Sequence, residues 1–254
     1  MPQKSLQPTD EEVDLALAAE LQAALLPREC PSDCPHQRAA ARNRMSNTIG
    51  GDFYDFIRLN QDQVAIVIGD VAGHGVRSSL IMAQIMGFMR SSSGILSRPG
   101  QIIKGVNRML MDLGERTGLV LPCSMFYGVI DAPTGMGVFV NAGHPRPWVL
   151  DRSGGPVFTI SPHSIMLGID DFEPKEACLT FEPSQRLILY TDGMTDATNP
   201  AGEHFGEQRL LDAVRTHDSS PPDAAADGVF AIVESFRAGA KAIDDETIVI
   251  IDRV

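Results

Sequence analysis

Two short turns that contain glycine, DAPTGMG (131–137) and DRSGG (151–155), constrain the fold of this chain more than any other feature. Each lies between runs of β-branched and aromatic residues, and Gly135 and either Gly154 or Gly155 can take the positive φ that such turns require. Strands joined by so few residues must pair antiparallel. Runs of the same kind predict strands at residues 64–69, 125–130, 137–140, 148–150, 156–160, 177–181, 187–191 and 247–251.

Helical periodicity occurs between these groups of strands, at residues 78–89, 99–113, 207–215 and 221–238. The chain has 254 residues, of which 43% are hydrophobic, so it can bury a large core in one domain or in two smaller ones. Antiparallel hairpins with helices in these positions predict an α+β sandwich.

A further amphipathic helix is expected over residues 10–26, with Asp10 as its N-cap and Pro27 ending it. One stripe of this helix carries Val13, Leu17, Leu21 and Leu25. The segment that follows, up to Thr48, is rich in Pro, Arg and Asn and is expected to be irregular. The helix either packs on its own domain or pairs with a partner or a second copy of the chain, and both options stay open.

The balance of charge excludes some classes of partner. The chain carries 21 Lys and Arg against 33 Asp and Glu, a net charge of −12, which disfavours binding to nucleic acid or to an anionic membrane. No apolar run approaches the roughly 20 residues that span a bilayer, and residues 1–27 lack the pattern of a signal peptide. We therefore expect a cytoplasmic protein.

The four cysteines are too few and too scattered for a disulfide scaffold. Cys30, Cys34 and His36 lie close enough in sequence to suggest one corner of a zinc site, but no second pair of Cys or His completes four ligands. A loop with two free thiols is the favoured interpretation.

Four aspartates share a position at the edge of an apolar strand: Asp52, Asp70, Asp192 and Asp244. Taken singly, each is typical of a turn or a cap. If the four converge in one cleft, their like charges repel strongly unless cations lie between them. Hard oxygen ligands without a Cys or His triad favour Mg²⁺ or Mn²⁺ over zinc.

The glycines of GDVAGHG (69–75) raise the alternative of a phosphate-binding loop. A P-loop needs a Lys directly after its last glycine, where this chain has Val76 and Arg77. The dinucleotide-binding fingerprint, the G-x-S-x-G motif of serine hydrolases and the kinase signatures are also missing. The phosphate-loop interpretation is therefore disfavoured.

Five motifs occur in an order and at a spacing that resemble those of a known family: IGGDFYDF (49–56), GDVAGHG (69–75), NAGHPRP (141–147), LYTDGMTDATNPAGEHFG (189–206) and DDETIVI (244–250). The family is the metal-dependent protein serine/threonine phosphatases of type 2C, the PPM superfamily, in the bacterial branch that controls sigma factors by partner switching. The resemblance covers nearly the whole chain. It implies an α-β-β-α sandwich of two antiparallel sheets flanked by helices, preceded by an N-terminal linker helix.

The resemblance also implies a set of metal ligands. Asp70 would bridge two Mn²⁺ or Mg²⁺ ions, and the backbone carbonyl of Val71 would be an additional ligand. Asp192 and Asp244 would hold the first ion, and Asp52 would hold the second, directly or through water. A water molecule shared by two such ions loses a proton near neutral pH and can attack a phosphoryl group in line.

Other residues in the motifs carry secondary expectations. Asp196 stands four residues after Asp192, where the family carries an acid that can bind a third ion. Asp245 and Asp55 are expected to support the ligands rather than bind an ion. His74 either protonates the departing serine or threonine oxygen or is a turn residue bonded to backbone. His144 in NAGHPRP is expected to be structural.

The chain departs from the eukaryotic members of the family in one respect. It has no R-x-x-x-E-D motif near the start of the domain, which leaves the cation that would hold the phosphate unassigned. Arg44 and Arg77 are candidates by position.

The expected function is hydrolysis of phosphoserine or phosphothreonine on a protein, and the branch implies a phosphorylated STAS-type anti-anti-sigma factor as substrate. Residues 1–27 would form a regulatory or dimerising helix, and residues 28–254 would form the phosphatase domain. The helix would receive a signal through residues 10–26 from a sensor or receiver domain or a regulatory protein.

Two alternatives remain, a catalytically silent binding module of the same fold and a two-metal nuclease. A nuclease should show a basic face, which the net charge does not favour.

Overall fold

The fold is built from ten strands and six helices in a computed structural model that describes residues 9–27, 37–92, 95–155 and 157–253. The strands are β1 (Gln37–Arg44), β2 (Phe53–Arg58), β3 (Gln63–Val71), β4 (Cys123–Asp131), β5 (Met136–Ala142), β6 (Trp148–Asp151), β7 (Val157–Thr159), β8 (Ala177–Thr180), β9 (Gln185–Tyr190) and β10 (Glu246–Arg253). The helices are α1 (Asp10–Leu25), α2 (Val76–Ser91), α3 (Pro99–Thr117), α4 (Asp192–Asp196), α5 (Gly206–Thr216) and α6 (Pro222–Arg237).

The strands form two antiparallel sheets of five strands each. Sheet A has the order β1-β10-β9-β6-β7, and sheet B has the order β2-β3-β4-β5-β8. The two hairpin turns expected from the sequence join β4 to β5 and β6 to β7, and Gly135 (φ +73°) and Gly154 (φ +90°) take positive φ there. A Cβ at residue 135 would also lie 2.2 Å from the carbonyl oxygen of Phe181, so this turn requires glycine for two reasons.

Helices cover the outer face of each sheet. Helices α2 and α3 pack on sheet B, and α6 packs on sheet A with α5 against it. Along β10, Val249 and Ile251 belong to the core between the sheets, while Ile248 and Ile250 belong to the core beneath α5 and α6. Because side chains alternate along a strand, β10 is buried on both faces. The expected α-β-β-α sandwich is confirmed.

The conformation of β1 was not predicted, because the segment up to Thr48 was expected to be irregular. Residues 37–44 instead pair antiparallel with β10 along their whole length. Their sequence, QRAAARNR, has no alternating apolar pattern, and Ala40 and Ala41 are its only buried apolar residues. The strand is therefore set by the tertiary contact with β10 rather than by local preference.

Helix α1 packs on the domain at its C-terminal end and is exposed elsewhere. Gln22 and Leu26 are buried, whereas Val13, Leu17 and Leu21 are 44%, 52% and 72% exposed. The N-cap is Thr9 rather than the expected Asp10, because Thr9 and Glu12 form a reciprocal capping box. Both options for this helix thus keep support, since one end packs on the domain and the apolar stripe is unpaired.

The suggested zinc corner at Cys30, Cys34 and His36 lies outside the described residues. Within the parts of the chain that the structure describes, no helix is both long enough and apolar enough to cross a membrane.

Candidate metal centre

The strand-end aspartates lie at one rim of the sandwich. Asp70 is the penultimate residue of β3 in sheet B, and Asp52 directly precedes β2, the neighbouring strand. Asp192 follows the end of β9 and begins α4, and Asp244 lies just before β10 in sheet A. Because β9 and β10 are antiparallel neighbours, the end of one strand and the start of the other meet at the same edge.

Electrostatic interactions show that these carboxylates lie together. Burial raises the pKa of Asp70 to about 7, and the charges of Asp192, Asp244 and Asp245 add to the rise. Burial also raises the pKa of Asp192, with further contributions from Asp244 and Asp196. Because the effect of a charge falls with distance, carboxylates from both sheets share one cleft.

Asp52 is the most buried member of the group, with 1% of its surface exposed. Its Oδ2 atom accepts hydrogen bonds from the hydroxyl groups of Thr191 (2.8 Å), which directly follows β9, and Thr247 (2.5 Å) in β10. The amide of Asn43 in turn donates to the Thr247 hydroxyl (2.7 Å). Burial and the charge of Asp70 nevertheless raise the pKa of Asp52 well above its usual value. Two threonines that the sequence analysis did not single out therefore fix this carboxylate.

Asp245 supports the loop that carries Asp52. Its Oδ1 atom accepts hydrogen bonds from the backbone N–H (2.8 Å) and hydroxyl (3.1 Å) of Ser46, and its Oδ2 atom accepts one from the N–H of Gly51 (2.7 Å). The supporting role expected for Asp245 agrees with these contacts. Asp55, in contrast, faces away from the cluster and pairs with Arg90 of α2 (3.1 Å).

Helix α1 reaches the same loop. The side-chain amide of Gln22 donates to the carbonyl of Gly50 (2.8 Å) and accepts from its N–H (3.1 Å). The guanidinium of Arg90 also donates to the carbonyl of Leu25 at the end of α1 (2.8 Å). No local sequence pattern singles out Gln22, which ties α1 to the loop two residues before Asp52.

His74 lies in the exposed turn between β3 and α2. Burial raises the pKa of Asp244, and the charges of Asp245 and Asp196 add to the rise, whereas the charge of His74 lowers it. His74 therefore lies within electrostatic reach of Asp244. Its place at the surface beside the carboxylates leaves it accessible to a substrate.

The two arginine candidates occupy different surroundings. Arg44 pairs with Glu234 and with Glu246 (3.7 Å), and its guanidinium lies over the ring of Phe230, 5.5 Å from the centroid. Arg77 is exposed at the start of α2, and its Nη2 atom lies 3.0 Å from the place that a Cβ on residue 73 would take. Arg44 is thus engaged with α6, while the guanidinium of Arg77 lies over the turn that carries His74.

His144 is buried, with 1% of its surface exposed, and its Nδ1 atom is bonded to the hydroxyl of Ser124 (2.9 Å). Burial lowers its pKa to about 3, and the nearby backbone carbonyl of Tyr190 opposes this only in part. A neutral, enclosed imidazole fits the structural role expected for this residue.

The residues present suit a hard divalent cation. All the candidate side-chain ligands are carboxylates, the donors that Mg²⁺ and Mn²⁺ prefer. The backbone around Gly51 leaves room beside two of the ligands: a Cβ there would lie 2.6 Å from the carbonyl oxygen of Val71 and 3.4 Å from Oδ1 of Asp70. No three His, Cys, Asp or Glu side chains in the described segments are already arranged to hold one ion.

Two known proteins are similar to most of this chain in sequence. The chain is 29% identical over 240 residues to Protein IcfG of Synechocystis sp., covering 82% of this chain and 36% of IcfG. It is 28% identical over 210 residues to phosphoserine phosphatase RsbP of Bacillus subtilis, covering 82% of this chain and 50% of RsbP. The chain therefore spans half or less of the length of these two relatives.

Solved structures and a family model agree with this similarity. The SiaA-PP2C domain of Pseudomonas aeruginosa superposes with a TM-score of 0.81 at 20% identity, over 95% of this chain and 96% of that domain. A structure of the PP2C phosphatase domain of SpoIIE from Bacillus subtilis, with a fragment of its regulatory domain, gives a TM-score of 0.71 at 20% identity, over 86% of this chain and 64% of that one. Residues 60–254 match the model of the family described as Stage II sporulation protein E (SpoIIE). The chain therefore belongs to the SpoIIE family, whose solved relatives have the PP2C fold.

Proposed function

We propose that this chain is a Mn²⁺- or Mg²⁺-dependent protein phosphatase that hydrolyses phosphoserine or phosphothreonine on a protein. One observation carries the proposal: burial and three neighbouring carboxylates raise the pKa of Asp70 to about 7, which supports a cleft whose carboxylates a bound cation would stabilise. The names of the relatives RsbP and RsbU, both called phosphoserine phosphatases, support the same activity.

The proposed ligands follow the family resemblance and fit the cleft. Asp70 would hold both ions, and the carbonyl of Val71 would be an additional ligand. Asp192 and Asp244 would hold the first ion, and Asp52 would hold the second, directly or through water. Asp196, exposed at the end of α4, would hold a third ion. When bound, such ions lower the pKa of water and offset the charge that develops on the phosphoryl group.

The chain's own residues would orient and complete this chemistry. Thr191 and Thr247 hold the Asp52 carboxylate in one orientation, so little reorganisation is needed when charge develops nearby. His74, close to Asp244, would protonate the serine or threonine oxygen as it leaves. Arg77 would hold the phosphoryl oxygens, because its exposed guanidinium lies over the same turn.

The proposed substrate is a phosphorylated STAS-domain protein, and the proposed control element is α1. The exposed stripe of α1 offers an apolar surface to an upstream sensor or receiver domain, a regulatory protein or a second copy of the chain. Gln22 connects that surface to the loop before Asp52.

Hydrolysis of an aryl phosphate with and without Mn²⁺ tests this proposal. We expect activity that depends on Mn²⁺, is removed by a chelator and is lost in Asp70→Asn and Asp192→Asn, with circular dichroism showing that both variants fold. Asp131→Asn, in the exposed β4–β5 hairpin, is the matched control and should keep full activity. Activity that persists in Asp70→Asn or Asp192→Asn contradicts the two-metal assignment, and a folded chain that binds the phosphoprotein without hydrolysing it would instead be a silent binding module.

A further inference from the structure

Three surface segments beside the candidate metal centre expose large apolar side chains. We call these six side chains the apolar collar: Val76 and Leu80 at the start of α2, Leu119 and Val120 in the loop before β4, and Ile165 and Ile169 in the loop that precedes β8. They make up a large share of the exposed large apolar residues in the described ranges. Most of the other exposed large apolar residues lie on α1 and on hairpins.

Backbone contacts bring the three segments to the same edge of sheet B. Val71 at the end of β3 pairs with Cys123 at the start of β4, and Cys123 exchanges two backbone hydrogen bonds with Leu167 (2.8 and 3.0 Å). The N–H of Ala72 also donates to the carbonyl of Pro122 (2.9 Å). The turn after Asp70 therefore lies against both collar loops.

The four collar side chains in the two loops point outward from segments that are anchored to the core. Val120 is 67% exposed, but Leu121 beside it is 4% exposed. Leu167, between the two collar isoleucines, is fully buried. Gly168 takes a positive φ (+74°) and packs so closely on the carbonyl of Leu121 that a Cβ would lie 2.1 Å from it. The outward apolar residues are thus held in fixed positions.

An exposed apolar surface with fixed geometry is typical of a protein-binding site. A positive charge beside this surface also indicates the chemistry of the partner. Arg77 lies between Val76 and Leu80 in sequence, with its guanidinium over the turn that carries His74. A partner that covers the collar would therefore present an anionic group to Arg77 at the mouth of the carboxylate cleft.

We propose that the apolar collar is the docking surface for a folded phosphoprotein, whose phosphorylated serine or threonine is surrounded by apolar residues. This inference rests on the phosphatase activity proposed above. It adds that recognition of the protein depends on the collar, whereas hydrolysis of the phosphate ester depends on the carboxylates. The apolar stripe of α1 consists of other side chains, those of Val13, Leu17 and Leu21.

Steady-state kinetics of collar variants with three probes test the inference. The probes are an aryl phosphate, a short phosphoserine peptide and a folded STAS domain that carries phosphoserine. The variants are Val120→Ser and Leu80→Ser, and Met136→Ser is the matched control, because Met136 is 62% exposed on β5 outside the collar. Circular dichroism confirms that each variant folds.

We expect each collar variant to lower kcat/KM for the folded phosphoprotein about tenfold through a higher KM, the size of effect of a central interface residue. Activity on the aryl phosphate and the peptide should stay unchanged, and Met136→Ser should match the wild type with all three probes. This split between KM and kcat is not expected from a general loss of structure.

Several results would overturn the inference. They are unchanged kinetics of the collar variants with the folded phosphoprotein, an equal loss with the aryl phosphate, or an equal loss in Met136→Ser. A wild-type chain with no preference for the folded phosphoprotein over the peptide would also refute it. So would light scattering that shows a dimer broken by the collar variants without a change in phosphoprotein kinetics. Failure of the proposed function is recognised separately, because the wild type would then not hydrolyse the aryl phosphate.

Discussion

Replacing Asp70 by Asn should make the metal-free domain more stable at pH 8 while removing its activity. In the folded chain, burial and neighbouring carboxylates hold the pKa of Asp70 at about 7, above its ordinary value of 3.8. Ionised Asp70 is therefore unfavourable in the folded state. Asparagine has nearly the same shape and no charge, so it removes that repulsion.

The size and the sign follow from the change in pKa. A rise from 3.8 to about 7 corresponds to at most about 4 kcal/mol of unfolding free energy. The folded state binds the proton more tightly than the unfolded state, so the stability of the wild type falls as the pH rises from about 4 to about 7 and stays low above that. The advantage of Asp70→Asn should therefore be small at pH 4 and largest at pH 8. For a chain of this size, each kcal/mol raises Tm by about 2 to 4 °C.

Thermal unfolding in a chelator, at several pH values between 4 and 8, measures this effect. Asp131→Asn is the control, because hydrogen bonds from Thr134 lower the pKa of Asp131, so the same replacement should give no gain at pH 8. Adding Mn²⁺ at pH 8 should raise the Tm of the wild type more than that of Asp70→Asn. An Asp70→Asn variant that is less stable than the wild type at pH 8, or whose gain does not grow with pH, would refute the reasoning.

Two further variants test the contacts around Asp52. Thr247→Val removes a hydroxyl that donates to the buried carboxylate, so we expect the Mn²⁺ concentration for half-maximal activity to rise about tenfold, as suits a hydrogen bond of about 1.5 to 3 kcal/mol to a charged group; an unchanged Mn²⁺ titration contradicts this. Gln22→Leu leaves the backbone groups of Gly50 without their partner, so stability should fall by about 1 to 3 kcal/mol and hydrogen exchange in α1 should become faster. Equal exchange rates in the variant and the wild type would show that this contact does not hold the helix.

The positions that local sequence controls were predicted well. The hairpin glycines were identified because tight turns need positive φ, and both occur where they were expected. Asp70, Asp192 and Asp244 were identified because each follows or precedes an apolar run, and their mutual effect on pKa shows that the strand ends converge. These features depend on a few adjacent residues, so a single sequence contains them.

The features that were missed depend on contacts between distant segments. Thr191 and Thr247 lie more than a hundred residues after Asp52 in the chain, and nothing in their local sequence indicates that both hydroxyls point at one carboxylate. Gln22 is one polar residue among many on α1 until the fold places it against Gly50. Strand β1 was missed for the same reason, because its pairing with β10 decides its conformation.

The carboxylates at the two ends of the β9–β10 pair have different charged neighbours. At the far end, Arg186 and Asp252 form a buried pair with two hydrogen bonds (2.6 and 2.8 Å), and Arg186 also donates to the carbonyl of His217. Asp252, a carboxylate outside the cleft, is thus paired with a cation. At the rim, the neighbours that most raise the pKa of Asp70 are other carboxylates, which include Asp192. Asp252 at one end of these strands is therefore paired with a cation, whereas Asp70 in the cleft at the other end has carboxylates among its charged neighbours, as the proposed cation-dependent site requires.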